Sequence, residues 1–337
     1  MIKTDIHDTK HWTEPNGNFI VNIPIEWQYR NAVFDDVDEK SPYSFEPYED
    51  SLGCFQLSCY LLSEKGINPS VPVQKSNSKI KWLASRKKDK EFDIILYYAQ
   101  VEDLLCMAKY IYSSKNRNDK RILEQIDKVK LALDSFTVIP KCDRELAKNL
   151  GKHDNFLASL IASYDLLNNA LESDSYIEMI VLLANQIDAF LRLSIILKEQ
   201  LETETDDIEV KYIFQGDNEW GISEREIYKK AKEMEIIDGE TFKELNELYD
   251  LRNRVIHRYI ISFIKTRDIV KIAYKYLGLN EKIRLVLKSY EEMQFGKGFG
   301  IYGCGYTIND GLDETEYKRA YSWANDKHLI EKLKRKL

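Results

Sequence analysis

The stretch Leu251-Arg-Asn-Arg-Val-Ile-His-Arg-Tyr259 decides how the C-terminal part of this chain is interpreted. It lies in an amphipathic segment that predicts a helix from Gly239 to about Lys265, capped by Asp238. At about 100° per residue, its apolar side chains fall on one broad face: Phe242, Leu245, Leu248, Tyr249, Ile256, Tyr259, Ile260 and Phe263. Arg252 falls in the middle of that face. Because an unpaired buried charge is costly, we expect Arg252 to have a specific partner, an open cleft or a second subunit beside it.

Two polar residues lie beside Arg252 on one edge of this face. Asn253 and His257 are four residues apart, so their side chains are neighbours on the helix surface. An imidazole can move a proton near neutral pH, and a guanidinium can stabilise charge on phosphate oxygens. The three side chains together suit phosphodiester chemistry. Arg254 and Arg258 on the same helix could hold an RNA backbone, although such residues are more often simply solvated.

This stretch resembles the HEPN superfamily. The mark of that superfamily is an arginine, a polar residue directly after it, and a histidine after four to six intervening residues, here Arg252, Asn253 and His257. The flanking segments Ile237–Asp250 and Ala184–Arg192 also match, and the resemblance covers roughly residues 145–290. It implies an all-α helical bundle that forms a homodimer, so that two Arg/His pairs line one cleft.

The resemblance also implies an activity and roles for the residues. Catalytic members are metal-independent endoribonucleases in which the 2′-OH of the RNA is the nucleophile, so no metal and no other cofactor is expected. His257 would handle a proton, Arg252 the phosphate, and Asn253 would orient the pair. Asp188, placed like the acidic residue of the second helix of that family, is the expected partner of Arg252. We therefore predict RNA cleavage, in phage defence or in a stress response.

Tyr259 completes an Arg-x4-His-x-Tyr pattern. In some toxins of the superfamily a tyrosine in this place is modified by a nucleotidylating antitoxin. This chain is much longer than those toxins and carries an extra N-terminal domain, so the pattern is weaker evidence for a toxin. On the residues alone, a core position is the favoured interpretation of Tyr259, because it falls on the apolar face.

A non-catalytic interpretation stays open. Arg252 could pair with Asp188 and tie helices together, while His257 binds a backbone carbonyl. The chain would then be a dimerisation or interaction protein whose N-terminal domain binds a protein partner. An immunity or antitoxin role is a third idea, suggested only by the acidic charge balance.

The first 140 residues have a different pattern and predict an α+β domain over residues 1–140. Short alternating or β-branched segments predict antiparallel strands: Asn18–Ile23, Cys54–Leu62, Ile80–Ser85, Phe92–Ala99 and Leu104–Tyr112. Apolar residues at helical spacing predict a helix from about Lys120 to Ser135. The order of elements resembles the PsbP-like fold, on the segments Asn18–Trp27 and Gly53–Tyr60 and a closing helix before Phe136–Ile139. That resemblance has no catalytic motif and implies a binding or accessory role.

Long helical patterns begin at Arg144 and predict the bundle over residues 145–293. The segments are Arg144–Glu172, Asp174–Thr203, a helix after a Ser223/Glu226 capping box, the helix from Gly239, and Thr266–Met293 with a break expected at Gly278. A glycine-rich loop, residues 295–305, and a C-terminal helix from Glu314 make a third segment, residues 294–337. The Gly298-x-Gly-x-x-Gly303 motif in it neither follows a clear strand nor opens a helix, so we predict a loop rather than a dinucleotide site.

Composition limits the class of protein. The chain has 337 residues, enough for about two domains, and a net charge of −7, which argues against a bulk electrostatic nucleic-acid binder. Five cysteines, odd in number and never in a CxxC pair, fit reduced thiols. The N-terminus lacks a signal-peptide pattern, and the longest apolar run, Met179–Ala184, is too short to span a membrane. We therefore expect a cytoplasmic protein that does not associate with a membrane.

Overall fold

The computed structural model describes residues 9–30, 41–48, 52–65, 71–76, 78–216, 219–303 and 314–328. It is a mixed α+β protein with a sheet-rich N-terminal region followed by helices, as predicted. The chain divides into two compact units: residues 1–151 with 312–334, and residues 152–311 with 335–337. We call these the sheet unit and the helical unit.

Two sheets form the frame of the sheet unit. In the smaller one, β2 (Phe19–Pro24) pairs antiparallel with β1 (Thr9–Thr13) and with β10 (Thr137–Val138). The larger sheet has the order β3-β4-β5-β9-β8-β6, with β7 paired to β8. Its strands are β3 (Trp27–Tyr29), β4 (Tyr43–Pro47), β5 (Cys54–Leu61), β6 (Val73–Gln74), β7 (Leu83–Lys88), β8 (Phe92–Val101) and β9 (Leu104–Ser113). Among the described strands, the β6–β8 pair is parallel and the other pairs are antiparallel.

Helix α1 (Leu62–Lys65) is a single turn. Helix α2 (Lys120–Ser135) has the predicted bounds and packs on β2 and β9. Asp119 caps α2, because its carboxylate accepts a hydrogen bond from the backbone N–H of Arg121. The apolar face of α2 is buried as its periodicity predicts. Trp27 is fully buried and donates from Nε1 to Gln125 Oε1 at 2.7 Å, which satisfies both polar groups between sheet and helix.

The C-terminal helix α8 (Glu314–His328) lies against the strands of the sheet unit. Lys10 of β1 is buried and donates from Nζ to Asp326, and Ser322 donates from Oγ to the carbonyl oxygen of Ile25 at 2.6 Å. The sequence placed this helix in a separate segment with the glycine-rich loop. In the structure it packs against strands more than 280 residues earlier in the chain, and no short-range sequence pattern predicts that contact.

Five helices build the helical unit, within the part of the chain that the structure describes: α3 (Arg144–Glu172, whose first turns lie in the sheet unit), α4 (Tyr176–Thr203), α5 (Glu224–Glu233), α6 (Gly239–Arg258) and α7 (Thr266–Lys297). Helix α4 is the central one and packs along α7 and α5. Among described helices, α4 is the one long and apolar enough to cross a membrane by composition, with a mean hydropathy of 1.8, but 72% of that window is buried inside the protein. This burial is typical of the core helix of a soluble protein.

Several predicted boundaries differ from the structure by one to four residues, and three larger differences have a physical reason or a clear outcome. Helix α6 ends at Arg258 rather than Lys265, because the β-branched and aromatic run that follows has low helix propensity and finds no core. Helix α7 passes through Gly278 without a break. Strand β7 begins at Leu83 instead of Ile80, because the backbone of Lys81 is hydrogen-bonded to the side chain of Gln74. The N–H of Lys81 donates to Gln74 Oε1 at 2.7 Å, and Gln74 Nε2 donates to the carbonyl oxygen of Lys81 at 2.9 Å.

Candidate functional site

Local capping signals set the two helices that build the site. The capping box before α5 is formed as predicted: Glu226 Oε2 accepts from the backbone N–H of Ser223 at 2.8 Å, and Ser223 Oγ accepts from that of Glu226. Asp238 caps α6 through a hydrogen bond from the backbone N–H of Thr241 at 2.7 Å. These caps place Glu224 in the first turn of α5, beside the face of α6 that carries Arg252.

Arg252 has a specific partner, and that partner is Glu224. Arg252 Nη1 donates to Glu224 Oε1 at 2.5 Å, with the two side chains 13% and 18% exposed. The guanidinium also lies 4.7 Å from the ring centroid of Tyr249, within the range of a cation–π interaction. Arg252 Nη2 donates to Asn253 Oδ1 at 3.4 Å. Arg252 and Asn253 are therefore in contact, and Glu224, on a different helix, neutralises the guanidinium.

The prediction that Asp188 pairs with Arg252 is wrong. Asp188 Oδ2 accepts from Arg192 Nε at 2.6 Å, because residues four apart on a helix are neighbours. Arg192 in turn donates to the carbonyl oxygens of Tyr212 and Ile222, at 3.2 and 2.7 Å, and so holds the chain that leads into α5. Burial raises the pKa of the Asp188 carboxyl, and the charge of Arg192 opposes that shift.

These groups belong to one buried polar cluster, which we call the Arg252 cluster: Asp188, Glu224, Arg252 and Tyr276. Each has one buried polar atom without a hydrogen-bond partner among the described residues, namely Asp188 Oδ1, Glu224 Oε2, Arg252 Nε and the Tyr276 hydroxyl. Tyr276 is 1% exposed, and burial raises the pKa of its phenol. Such groups cost free energy when unpaired, so the cluster holds α6 in place at some expense in stability.

His257 lies outside this cluster. Its side chain is exposed, as are those of Arg254 and Arg258 on the same helix. Residues five apart are about 140° apart around a helix, so Arg252 points into the bundle while His257 meets solvent. Within one subunit, Arg252 and His257 therefore do not line a common cleft: Arg252 is held among the helices and His257 faces solvent.

The predicted apolar face of α6 is only partly core. Leu245 and Leu248 are buried as expected, but the residues that follow the last turn are not. Tyr259 is 38% exposed, Ile260 94% and Phe263 fully so, and the core positions predicted for these three are wrong. Together with the exposed Ile261 they form what we call the apolar tip: Tyr259, Ile260, Ile261 and Phe263.

Sequence reasoning missed Glu224 and Tyr276. Glu224 follows directly on the predicted N-cap Ser223, where acidic residues are common for reasons of helix dipole alone, so nothing distinguished it. Tyr276 sits at an ordinary apolar position of α7.

Other sequence motifs carry no site in the described residues. In them the structure has no group of three or more histidine, cysteine or acidic side chains that could hold a metal ion. The sequence also has His7 and His11 at a spacing of four, which could hold a metal ion on a helix, but His7 lies outside the described residues. Gly298 ends α7 in a left-handed conformation, with φ of +74°, so the glycine motif closes a helix instead of opening one.

Comparison with known proteins adds little to this geometry. No family model matches the chain, and no curated protein matches it significantly. A crystal structure from Bacteroides thetaiotaomicron VPI-5482 is similar to 52% of this chain and 77% of its own, with 9% identity and a TM-score of 0.27. A likeness this weak supports no conclusion about fold or function.

Proposed function

We propose that this chain is a metal-independent endoribonuclease of the HEPN type, acting in the cytoplasm as a homodimer. The observation that carries the proposal is the surface of α6. His257 is exposed between two exposed cations, Arg254 and Arg258, little more than one turn after the oriented guanidinium of Arg252. An imidazole and clustered guanidinium groups are what RNA cleavage requires of a protein when the nucleophile comes from the RNA.

In the proposed reaction, the 2′-oxygen of a ribose attacks the adjacent phosphorus as it loses its proton. The bond from phosphorus to the 5′-oxygen breaks, and that oxygen takes up a proton. The products are a 2′,3′-cyclic phosphate and a 5′-hydroxyl. His257 would exchange a proton with one of the two oxygens. Because Glu224 already compensates Arg252, the uncompensated positive charge near the phosphate would come from Arg254 and Arg258.

The dimer is proposed to form beside His257. The apolar tip follows directly on the helix that carries His257, and Ile260, Ile261 and Phe263 are almost fully exposed. Exposed apolar groups of this size mark interaction sites in soluble proteins. A second copy covering the tip would bring two His257 side chains towards one cleft. The sheet unit is proposed to be PsbP-like and to bind a partner.

The test is cleavage of single-stranded RNA by the purified chain in the presence of a chelator. We expect 2′,3′-cyclic phosphate ends, and we expect His257→Ala to abolish cleavage while the circular dichroism spectrum is kept. His11→Ala is the matched control, since His11 is also exposed but lies in the sheet unit. Cleavage that survives His257→Ala, or that disappears equally in His11→Ala, would contradict the proposal.

A second candidate function is a non-catalytic dimerisation protein. It is favoured by the Glu224–Arg252 pair, which gives Arg252 a structural role in α6. In that case concentrated protein should not cut RNA. Ile260→Ser with Phe263→Ser should still convert a dimer to a monomer in sedimentation velocity, because these side chains are 94% and fully exposed and their loss should leave the core of one subunit intact.

A further inference from the structure

The sheet unit carries a strongly basic surface that the acidic composition of the whole chain conceals. Residues 75–90 contain seven cations and one acid, a net charge of +6 in a chain whose total is −7. We define the basic surface by these seven exposed side chains: Lys75, Lys79, Lys81, Arg86, Lys87, Lys88 and Lys90.

Strand β7 displays the centre of this surface at a sheet edge. Among described strands it pairs only with β8, and every one of its residues is exposed. Side chains alternate across a strand, so Arg86 and Lys88 project from one face of the sheet and Lys87 from the other. Phe92, half exposed at the start of β8, lies on the same face as Lys87.

The neighbouring turn extends the positive charge. Ser114 donates from Oγ to the carbonyl oxygen of Lys90 at 2.6 Å, and its N–H donates to that of Glu91 at 3.0 Å. These bonds bring Lys115 and Arg117 beside the β7–β8 turn. Arg117 binds Asp93 through two hydrogen bonds, at 2.7 and 2.5 Å, yet keeps 41% of its side chain exposed.

Protection of a sheet edge is the simpler explanation, because lysines on an edge strand prevent pairing with other chains. That explanation covers β7 alone. The cations continue into Lys79 and Lys81 before the strand and into Lys90 and Lys115 after it, at positions that the structure describes as outside any strand. Lys79 pairs with Asp134 at 3.1 Å, and both of these side chains are more than half exposed.

We propose that the basic surface binds single-stranded RNA along β7. Cations on both faces of one strand suit a flexible polyanion that can follow them, whereas a flat bilayer would meet only one face. Phe92 adds an exposed ring on which a base can stack. Phosphate binding of this kind depends steeply on salt, because each contact releases counterions. The site goes beyond the proposed cleavage site, since it lies on a different unit and requires no catalysis.

The test is fluorescence anisotropy with labelled 2′-O-methyl oligouridine, which has no free 2′-OH and so cannot be cut by the proposed reaction. Arg86→Glu with Lys88→Glu should weaken binding at least about tenfold and lower the slope of log K against log salt by about 1.4, at about 0.7 per contact. Lys229→Glu with Lys243→Glu is the matched control, because both lysines are exposed, 72% and 79%, on the helical unit. Phe92→Ser should weaken binding without changing the slope.

Failure of this proposal is separable from failure of the proposed function, because the probe reports binding alone. Equal affinity in the Arg86/Lys88 variant and the Lys229/Lys243 control would overturn it, as would the absence of binding by the unmodified chain. Binding to phosphatidylserine vesicles in place of RNA would also overturn it. If the first variant does not fold, Lys87→Gln with Lys90→Gln tests the same surface.

Discussion

Removing the carboxylate of Glu224 should destabilise the helical unit by about 3 kcal/mol. The change Glu224→Ala leaves the guanidinium of Arg252 largely buried, with 13% of its side chain exposed and its Nε already without a hydrogen-bond partner among the described residues. Breaking a buried ion pair from one side costs about 3–5 kcal/mol, and the residual exposure of this pair places it at the lower end. For a unit of this size, about 2–4 °C per kcal/mol gives a fall in Tm of about 6–12 °C.

Thermal and urea unfolding, followed by far-ultraviolet circular dichroism, measure this cost. Arg252→Met should be destabilising for the same reason, whereas Glu224→Leu combined with Arg252→Met should recover much of the loss, since an apolar pair often replaces a buried ion pair at little cost. Glu233→Ala is the surface control: it removes an exposed pair with Lys229 and should cost less than about 0.5 kcal/mol. A loss below about 1 kcal/mol for Glu224→Ala, or strictly additive changes in the double variant, would refute the reasoning.

Two further predictions concern backbone and pH. Gly278→Ala should raise the free energy of unfolding in urea by about 0.5–1 kcal/mol, because the position is exposed inside α7 and an added Cβ meets no described atom within 4 Å. Gly17→Ala should lower the free energy of unfolding, because the φ angle of Gly17 is +72° and the added Cβ would lie 2.1 Å from a carbonyl oxygen. Burial raises the pKa of Tyr212 to about 12 and also raises the pKa values of Tyr228 and Tyr276. Above a pH of about 10, the folded state therefore binds more protons than the unfolded state. The resulting stabilisation is fully present below that pH and is lost as the pH rises through the folded-state pKa values. The phenolate absorbance of these tyrosines should appear together with the loss of helical dichroism, and its appearance before that loss would contradict the prediction.

Local signals explain which parts of the fold could be predicted from the sequence. Helix α2 and helix α3 have the predicted bounds, and the Ser223/Glu226 capping box is formed, because capping and apolar periodicity depend on residues within one or two turns. The place of α8 depends on Lys10 and Asp326, which are 316 residues apart. No pattern of short range contains that information.

The candidate site shows the same division. The sequence predicted that Arg252 has a specific partner, an open cleft or a second subunit beside it, and this followed from the cost of burying a charge. It could not name Glu224, because the choice between carboxylates depends on helix packing, and the expected acid, Asp188, instead pairs with Arg192 on its own helix. The basic surface was not predicted for a different reason: the net charge of the whole chain is negative, and a sum over all residues does not show that one segment is strongly positive.

Helix α6 therefore has two sides with different physical demands. The inward side is fixed by the Arg252–Glu224 pair, whose removal should appear as lost stability. The outward side carries His257 and leads into the apolar tip, and it has little to do with the stability of one subunit, because these side chains are exposed. A substitution at His257 that changes RNA cleavage without changing Tm would thus separate function from folding on a single helix. A substitution at Arg252 cannot separate them, so His257 is the residue on which the proposed activity should be judged.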